Sequence, residues 1–331
     1  MKKIRIIVFA DPVCTWCWGS SPIVRALEYR YGEHIEIEYR MAVMIDDIAT
    51  YNNRRLQIGG EDIELSNRNI LAHWLEASAT HGMPVERHNF HLFSREFRST
   101  APHCKAYIAA THCCPVNSNG DKEHRMAKHY LRRIQEATAA EAIHTADPEV
   151  LIELSAVCGF NPQDIREAME SQEVNREFRL QHEIAQNYGI ESTPSYVLKY
   201  DDREAVINGF CSYATIENHI TDISCGDITP MAAGREKKEL LTTNCDNVSR
   251  FIEHYKSVYP VEIATTFGMK RHSGHSALNI ESFELLPDII NELRKNNRIA
   301  ITPFANSFRI YSLNKEKSST RSKEREFAGI F

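Results

Sequence analysis

The sequence has 331 residues, of which 42% are hydrophobic and 25% charged, and its net charge is -6 at pH 7. This composition is typical of a soluble globular chain long enough for two domains. The charge excludes a general electrostatic attraction to nucleic acid or anionic membranes. The sequence contains no run of about 18 apolar residues, so no membrane-spanning helix is predicted.

The first residues combine a basic start with an apolar run. Lys2 and Lys3 precede this run, which superficially suggests a signal peptide, but Asp11-Pro12 breaks it and no small-residue cleavage site follows. We therefore expect a first β-strand over residues 3–9 and a cytoplasmic protein. The nine cysteines are scattered and odd in number, which favours reduced thiols in that compartment.

A closely spaced cysteine pair follows this strand directly, in the motif Cys14-Thr15-Trp16-Cys17. Pro22 lies early in the helix predicted next, which ends near Gly32. Residues 34–39 then alternate polar and apolar side chains, a pattern that predicts a half-buried strand. The segment is therefore a β-α-β unit with its cysteines at the junction of strand and helix.

A long helical stretch separates this unit from a second group of strands. Asp147-Pro148 and Asn161-Pro162 each combine an N-capping side chain with a proline at the first helical position. The other helices predicted here contain Trp74 or cover residues 101–111, 124–137 and 174–188. Strands are then predicted over 195–200 and 205–210, followed by a short helix over 213–221.

The Cys14/Cys17 motif carries the clearest chemical signal. At a helix N-terminus, unsatisfied backbone N–H groups and the helix dipole lower the pKa of the first thiol, which predicts Cys14 as the nucleophile. Cys17, one turn inside, is expected to be the less exposed thiol and to resolve the mixed disulfide. The alternative is half of a zinc site, but no second CxxC completes it, and His103-Cys104 and similar pairs fit no standard zinc spacing. We predict no metal and no organic cofactor.

A second signal is Thr193-Pro194, just before a predicted strand. A cis proline at this point would present the preceding backbone to an extended substrate facing the cysteines. The alternative is an ordinary trans proline that opens a strand. Trp16 and Trp18 border the cysteine motif; we expect one to pack inside and the other to offer substrate an apolar contact.

The segment Asp11 to Gly19 (DPVCTWCWG), with Pro22, resembles the start of the cytosolic DsbA-like proteins close to FrnE, which are predicted disulfide isomerases. The helical stretch and Thr193-Pro194 match that family in order, so the resemblance covers roughly residues 3–222. It implies a thiol–disulfide oxidoreductase or isomerase acting on protein thiols and disulfides. A departure is residues 41–44 (MAVM), where that family often has a Gly-Gly pair.

The fold class expected from these patterns is α/β: a DsbA-like thioredoxin fold with a large all-helical insertion, plus a small C-terminal winged-helix-like domain. The thioredoxin domain is placed at 1–225, with its insertion at about 60–188. A linker is expected over 226–243, the winged-helix-like domain over 244–313, and a flexible tail over 314–331.

A second resemblance covers more of the chain. The segments 8–14 (VFADPVC), 29–32 (YRYG), 251–255 (FIEHY) and 262–264 (EIA) are similar to the adaptor proteins SpxH or YjbH. Those proteins also join a DsbA-like domain to a C-terminal winged helix, and they deliver a transcription regulator to the ClpXP protease. This resemblance implies a binding role as the alternative to catalysis.

DNA binding by the C-terminal domain is not predicted. Its third helix, expected over about 282–296, carries Glu284, Asp288 and Glu292 and is offset only by Arg294 and Lys295. A recognition helix needs the opposite charge balance to approach phosphates. We expect this domain to dock other proteins.

Overall fold

The computed structural model describes residues 2–116, 124–230 and 241–313. The main sheet has the strand order β2-β1-β3-β4. Strands β1 and β2 are parallel, whereas β3 is antiparallel to both β1 and β4. The central β1 has the sequence IRIIVFA and is buried except at Arg5, as expected for a strand covered on both faces. The four strands are Ile4–Ala10, Ile35–Met41, Ser195–Tyr200 and Arg203–Ile207.

Helix α1 (Thr15–Tyr31) connects β1 to β2 and starts immediately after Cys14. The helix ends at Gly32, whose φ of 55° few other residues would adopt. Pro22 was expected near its start, but it lies inside the helix. Because proline has no N–H, it cannot donate to the carbonyl of Trp18, four residues before it.

The expected helical insertion lies between β2 and β3. Asp147 and Asn161 cap their helices through their side chains, which accept hydrogen bonds from Glu149 N and Gln163 N, as predicted. In chain order the helices are α2 (Ile63–His81), α3 (Ala101–His112), α4 (Arg125–Ala140), α5 (Pro148–Val157), α6 (Pro162–Glu170) and α7 (Gln172–Asn187).

The β3–β4 hairpin is tighter than predicted. Arg203 was expected in the turn, but it pairs with Tyr200 and begins β4, which leaves two residues in the turn. Asp201 has a φ of 53°, a conformation that aspartate tolerates in such turns. The predicted strand end, Phe210, lies beyond β4 and is exposed. Helix α8 (Tyr213–Ser224) follows.

The C-terminal unit contains three helices and a three-stranded sheet in the order β5-β7-β6. Three helices followed by a strand pair were expected here, whereas β5 was not predicted, and a winged helix remains the prediction for this unit. Its linker was predicted at 226–243, of which 231–240 lie outside the described residues, as does the predicted tail at 314–331. The elements are α9 (Cys245–Tyr255), β5 (Ser257–Val258), α10 (Pro260–Phe267), α11 (Leu286–Lys295), β6 (Ile299–Phe304) and β7 (Ser307–Ser312).

The hydrophobic core does not stop at the boundary between the two units. One cluster of buried side chains contains Val13, Trp18 and Trp74 together with Phe251 and Ile263 of the C-terminal unit. Within the three described ranges, no helix is both long and apolar enough to cross a membrane.

Ionic contacts reinforce this shared core. The carboxylate of Glu262 in α10 is fully buried and contacts Arg25 of α1 at 3.0 Å. It also forms a two-pronged contact with Arg132 of α4, at 2.8 and 3.2 Å. The C-terminal unit is therefore held against both the helix that carries the cysteines and the insertion.

Candidate active site

Cys14 occupies the N-cap position of α1, where the chain changes from strand to helix. Its backbone is extended, with φ −77° and ψ 122°, and its carbonyl accepts the first helical hydrogen bond from Trp18 N at 3.0 Å. Its own N–H donates to Asp11 O at 3.0 Å. This turn places the Cys14 thiol beside N–H groups of the first helical turn, which lack intrahelical partners.

The two thiols differ in pKa but not in exposure. Cys14 was expected to be the more exposed thiol, yet Cys14 and Cys17 are 4% and 3% exposed, and both are free. A hydrogen bond from Cys17 is the largest cause that lowers the pKa of Cys14. Burial, followed by the interaction with Cys14, raises the pKa of Cys17 well above its ordinary value. A thiolate at this site is therefore favoured on Cys14.

The Thr193–Pro194 loop lies against Cys14. The peptide bond between these residues is cis, and the Cys14 thiol is 3.4 Å from the Thr193 carbonyl oxygen. Ser195 supports the loop, since its hydroxyl donates to Ser192 O at 2.7 Å and accepts from Gly209 N at 2.9 Å. Cys14 and Thr193, which are 179 positions apart in the sequence, are therefore in contact through the Cys14 sulfur.

Trp16 and Trp18 have different environments. The half-buried Trp16 ring contacts Phe210 and His81, with ring centroids 5.0 and 5.7 Å apart. Trp18 is only 1% exposed, and its Nε1 donates to Pro84 O at 2.8 Å. One of the two tryptophans was expected to pack inside, and this one is Trp18, whose enclosed indole cannot contact substrate. Trp16 remains the predicted substrate contact.

Sequence reasoning did not identify Asp11 as a site residue. Its buried carboxylate accepts hydrogen bonds from Val13 N at 3.0 Å, Met44 N at 2.8 Å and the Thr100 hydroxyl at 2.6 Å. Burial raises its pKa to about 6. Asp11 thus connects the cysteine loop to the chain after β2 and to the start of α3. A signal was present: an acidic residue directly follows a buried strand.

His81 was also missed. Its Nδ1 accepts a hydrogen bond from Met83 N at 3.1 Å, so the neutral ring carries its proton on Nε2, 3.4 Å from the Thr15 hydroxyl. Burial lowers the pKa of His81 to about 3, which keeps the ring neutral at physiological pH. His81, the last residue of α2, therefore contacts Thr15, the residue that follows Cys14.

A cavity of about 140 Å³ lies beside Cys14. Cys14 itself lines the cavity, together with Trp16. Thr15 of α1 and Leu92 complete the lining, but most of the other walls come from the connection between β2 and α2 and from α2. Because these segments are far from Cys14 in the sequence, only the folded chain forms this space.

The insertion contains many histidines and cysteines, which are common metal ligands. Among residues 2–116, 124–230 and 241–313, no three His, Cys, Asp or Glu side chains come together in a way that could hold an ion. His103, for example, is buried and forms a hydrogen bond with the Thr145 hydroxyl at 3.0 Å.

This geometry defines the class of protein: a thioredoxin fold of the DsbA type, with a CxxC motif at a helix N-terminus and a helical insertion after the β-α-β unit. Residues 7–218 match the family model described as thioredoxin, and the chain belongs to that family.

Relatives extend this assignment. The chain is 20% identical over 272 residues to the ClpXP adapter protein SpxH of Bacillus subtilis, a match that covers 81% of this chain and 79% of that protein. The SpxH of Halalkalibacterium halodurans is also 20% identical, over 273 residues and with the same coverage. Among solved structures, a candidate protein disulfide isomerase from Nitrosomonas europaea aligns with a TM-score of 0.55 and 16% identity. That alignment covers 68% of this chain and all of the other, which shows a shared fold.

Proposed function

We propose that this protein is a cytoplasmic thiol–disulfide oxidoreductase or isomerase that acts on protein thiols and disulfides. One observation carries the proposal: the thiol with the lowered pKa, Cys14, lies 3.4 Å from the carbonyl before the cis proline. A thiol with a lowered pKa can serve as the nucleophile of disulfide exchange, and a backbone carbonyl beside it can align an extended substrate.

The proposed exchange needs only sulfur chemistry. The Cys14 thiolate attacks one sulfur of a substrate disulfide, which forms a mixed disulfide and releases the other sulfur as a thiolate that takes up a proton. Cys17 then loses its proton and attacks Cys14, which forms the Cys14–Cys17 disulfide and releases the substrate reduced by two electrons. The reverse sequence oxidises a substrate dithiol.

Insulin reduction by dithiothreitol provides the first test. The native protein should accelerate the reduction, and Cys14→Ala should abolish the acceleration because the nucleophile is missing. Cys225→Ala removes an exposed thiol away from the site and serves as the matched control, which should keep the native rate. Equal rates for native protein and Cys14→Ala would contradict the proposal.

A second function is favoured by the extent of the SpxH match. The SpxH match extends over 272 residues, 81% of this chain, and so large a share cannot fit before the C-terminal unit begins. The match therefore includes part of the C-terminal unit, which shares its core with the thioredoxin unit. In this role the chain would bind a transcription regulator and present it to ClpXP, and the cysteines would not be required.

A degradation assay separates the two functions. The assay combines purified ClpXP with a transcription regulator that binds this protein. The rate of regulator degradation is then measured in the presence of the native protein and of Cys14→Ala/Cys17→Ala. An adaptor should support the same degradation rate in both forms. If the double variant loses delivery together with insulin reduction, delivery depends on thiol chemistry and a purely non-catalytic role is excluded.

A further inference from the structure

The cavity beside Cys14 has an unusual lining for a space next to a nucleophile. Most of its surface is apolar, and no Asp, Glu, Lys or Arg side chain lines it. His73 also lines the cavity, and burial lowers its pKa, which favours the neutral ring. Thr15, Tyr51 and Asn53 contribute polar side chains to the lining, and the apolar ones are Trp16, Met44, Ile45, Leu56, Ile58, Ile70, Trp74 and Leu92.

The apolar lining determines which kind of chemical group can bind in the cavity. An ionised group that entered would lose its hydration without meeting an opposite charge, which is costly. An apolar side chain would instead gain the free energy of leaving water, about 1.5–3 kcal/mol for complete burial of a Leu or Phe. The cavity therefore fits a neutral, apolar group.

The position of the cavity connects it to the reaction. Cys14 forms part of the wall, so any group disulfide-bonded to Cys14 has its neighbouring atoms close to the cavity. The Thr193 carbonyl, 3.4 Å from the same sulfur, is placed to meet the backbone of an extended chain. A peptide with an apolar side chain could use both features at once, whereas oxidised glutathione has no apolar side chain to place in the cavity.

We propose that the substrates of Cys14 are peptide or protein disulfides in which a large apolar side chain next to the reacting cysteine enters this cavity. The inference rests on the proposed thiol–disulfide exchange and specifies its substrate class. During exchange, the Cys14 thiolate forms a bond to the peptide cysteine sulfur, and the original partner of that sulfur leaves as a thiolate.

Chromophoric peptides provide the test. Short neutral peptides carry one cysteine as a mixed disulfide with thionitrobenzoate, and Phe, Leu, Ala or Asp is placed beside that cysteine, on either side in turn. Release of thionitrobenzoate gives a second-order rate, with Cys14→Ala as the background for other thiols. On one side we expect Phe or Leu to react about 10-fold faster than Ala, and Asp more slowly than Ala.

Two substitutions at one wall residue connect this preference to the cavity. Leu56 is half-buried, so Leu56→Trp can fill the space with little strain, and it should bring the Phe-to-Ala rate ratio to within about 2-fold of one. Leu56→Ala enlarges the space and should favour a Trp peptide over a Phe peptide. Leu180→Trp, at an exposed leucine of α7, is the matched control and should keep the native ratio.

Specific results would overturn the inference. Equal rates for the Phe and Ala peptides, an unchanged ratio in Leu56→Trp, or a faster reaction with oxidised glutathione than with any peptide would each exclude the cavity as a side-chain pocket. A complete absence of Cys14-dependent reaction with every disulfide is a different result, because it would refute the proposed exchange itself.

Discussion

At the scale of single residues, hydrogen bonding rather than exposure distinguishes the two cysteines. Cys14 and Cys17 are almost equally buried, yet the pKa of Cys14 is lowered and that of Cys17 is raised. The Cys17 thiol donates to Cys14, and a donor stabilises a thiolate acceptor. In the proposed exchange, Cys17 would therefore both activate Cys14 and resolve the mixed disulfide.

Replacing Cys17 tests this relation. Cys17→Ala should raise the pKa of Cys14 because the largest cause of its lowering is removed, whereas Cys17→Ser keeps a donor and should raise it less. The measurement is the pH dependence of Cys14 alkylation, with Cys14→Ala in each background to subtract other thiols. Identical titrations of the Ala and Ser variants would show that the helix terminus alone activates Cys14.

Asp11 should make stability depend on pH. Burial raises its pKa from 3.8 to about 6, so the folded protein binds this proton more tightly than the unfolded chain does. Stability from this group is therefore complete below about pH 4 and is lost as pH rises through 6.

The corresponding variant is Asp11→Asn. The difference in unfolding free energy between native protein and variant should fall by on the order of 3 kcal/mol between pH 4 and pH 8. Denaturant titrations across this range would measure it, with the exposed Asp202→Asn as control. A difference that stays constant with pH would mean that Asp11 ionises normally.

At the scale of secondary-structure elements, α1 and α2 pack closely at Gly19, which has no side chain. Gly19 lies in the second turn of α1, and an added Cβ would overlap the buried His81 ring at the end of α2. The same ring faces Thr15 at 3.4 Å. The glycine therefore sets how closely the insertion approaches the cysteine motif.

Gly19→Ala has two opposing effects. Helix propensity favours alanine by about 1 kcal/mol, but overlap with a buried ring costs about 1–3 kcal/mol. We expect net destabilisation, seen as a lower midpoint of thermal unfolding, and we expect it to be smaller when Gly19→Ala is introduced into His81→Ala. If Gly19→Ala raises the midpoint, the packing of α1 against α2 is looser than the structure indicates.

At the scale of the whole molecule, a buried ionic cluster joins three parts of the chain. Glu262 of the C-terminal unit contacts Arg25 of α1 and Arg132 of the insertion, and the Arg132 guanidinium lies 4.6 Å from the Trp18 ring centroid. Because Trp18 follows Cys17 directly, the C-terminal unit contributes to the support of the cysteine helix.

Glu262→Ala should be strongly destabilising. It leaves two largely buried guanidinium groups without this carboxylate, a loss of about 3–5 kcal/mol for a broken buried pair. Glu149→Ala breaks the exposed Glu149–Arg166 pair and should have little effect. Urea unfolding of both variants gives the comparison, and effects of similar size would show that Glu262 is not a structural link between the units.

Local sequence determined most of the elements and the position of the cysteine motif. The Ile- and Val-rich first strand, the Asp147-Pro148 and Asn161-Pro162 helix starts, and the cysteine motif between strand and helix are all properties of neighbouring residues. Side-chain periodicity, capping and backbone restrictions act over a few positions, so they can be read directly from the chain. The predicted start of α1 at the cysteine motif agrees with the structure, in which Cys14 is the N-cap and Pro22 lies further inside the helix than expected.

Tertiary structure alone decided what surrounds the nucleophile. The sequence could not show that Trp18 is buried in the core or that Asp11 accepts three hydrogen bonds. Nor could it show that His81 contacts Thr15. It could not show the cavity walls or the ionic link through Glu262. Each depends on contacts between residues tens to hundreds of positions apart, and such contacts exist only once the sheet, the insertion and the C-terminal unit have packed into a shared core. Burial then sets the pKa values, because the cost of a charge depends on everything that has displaced water around it.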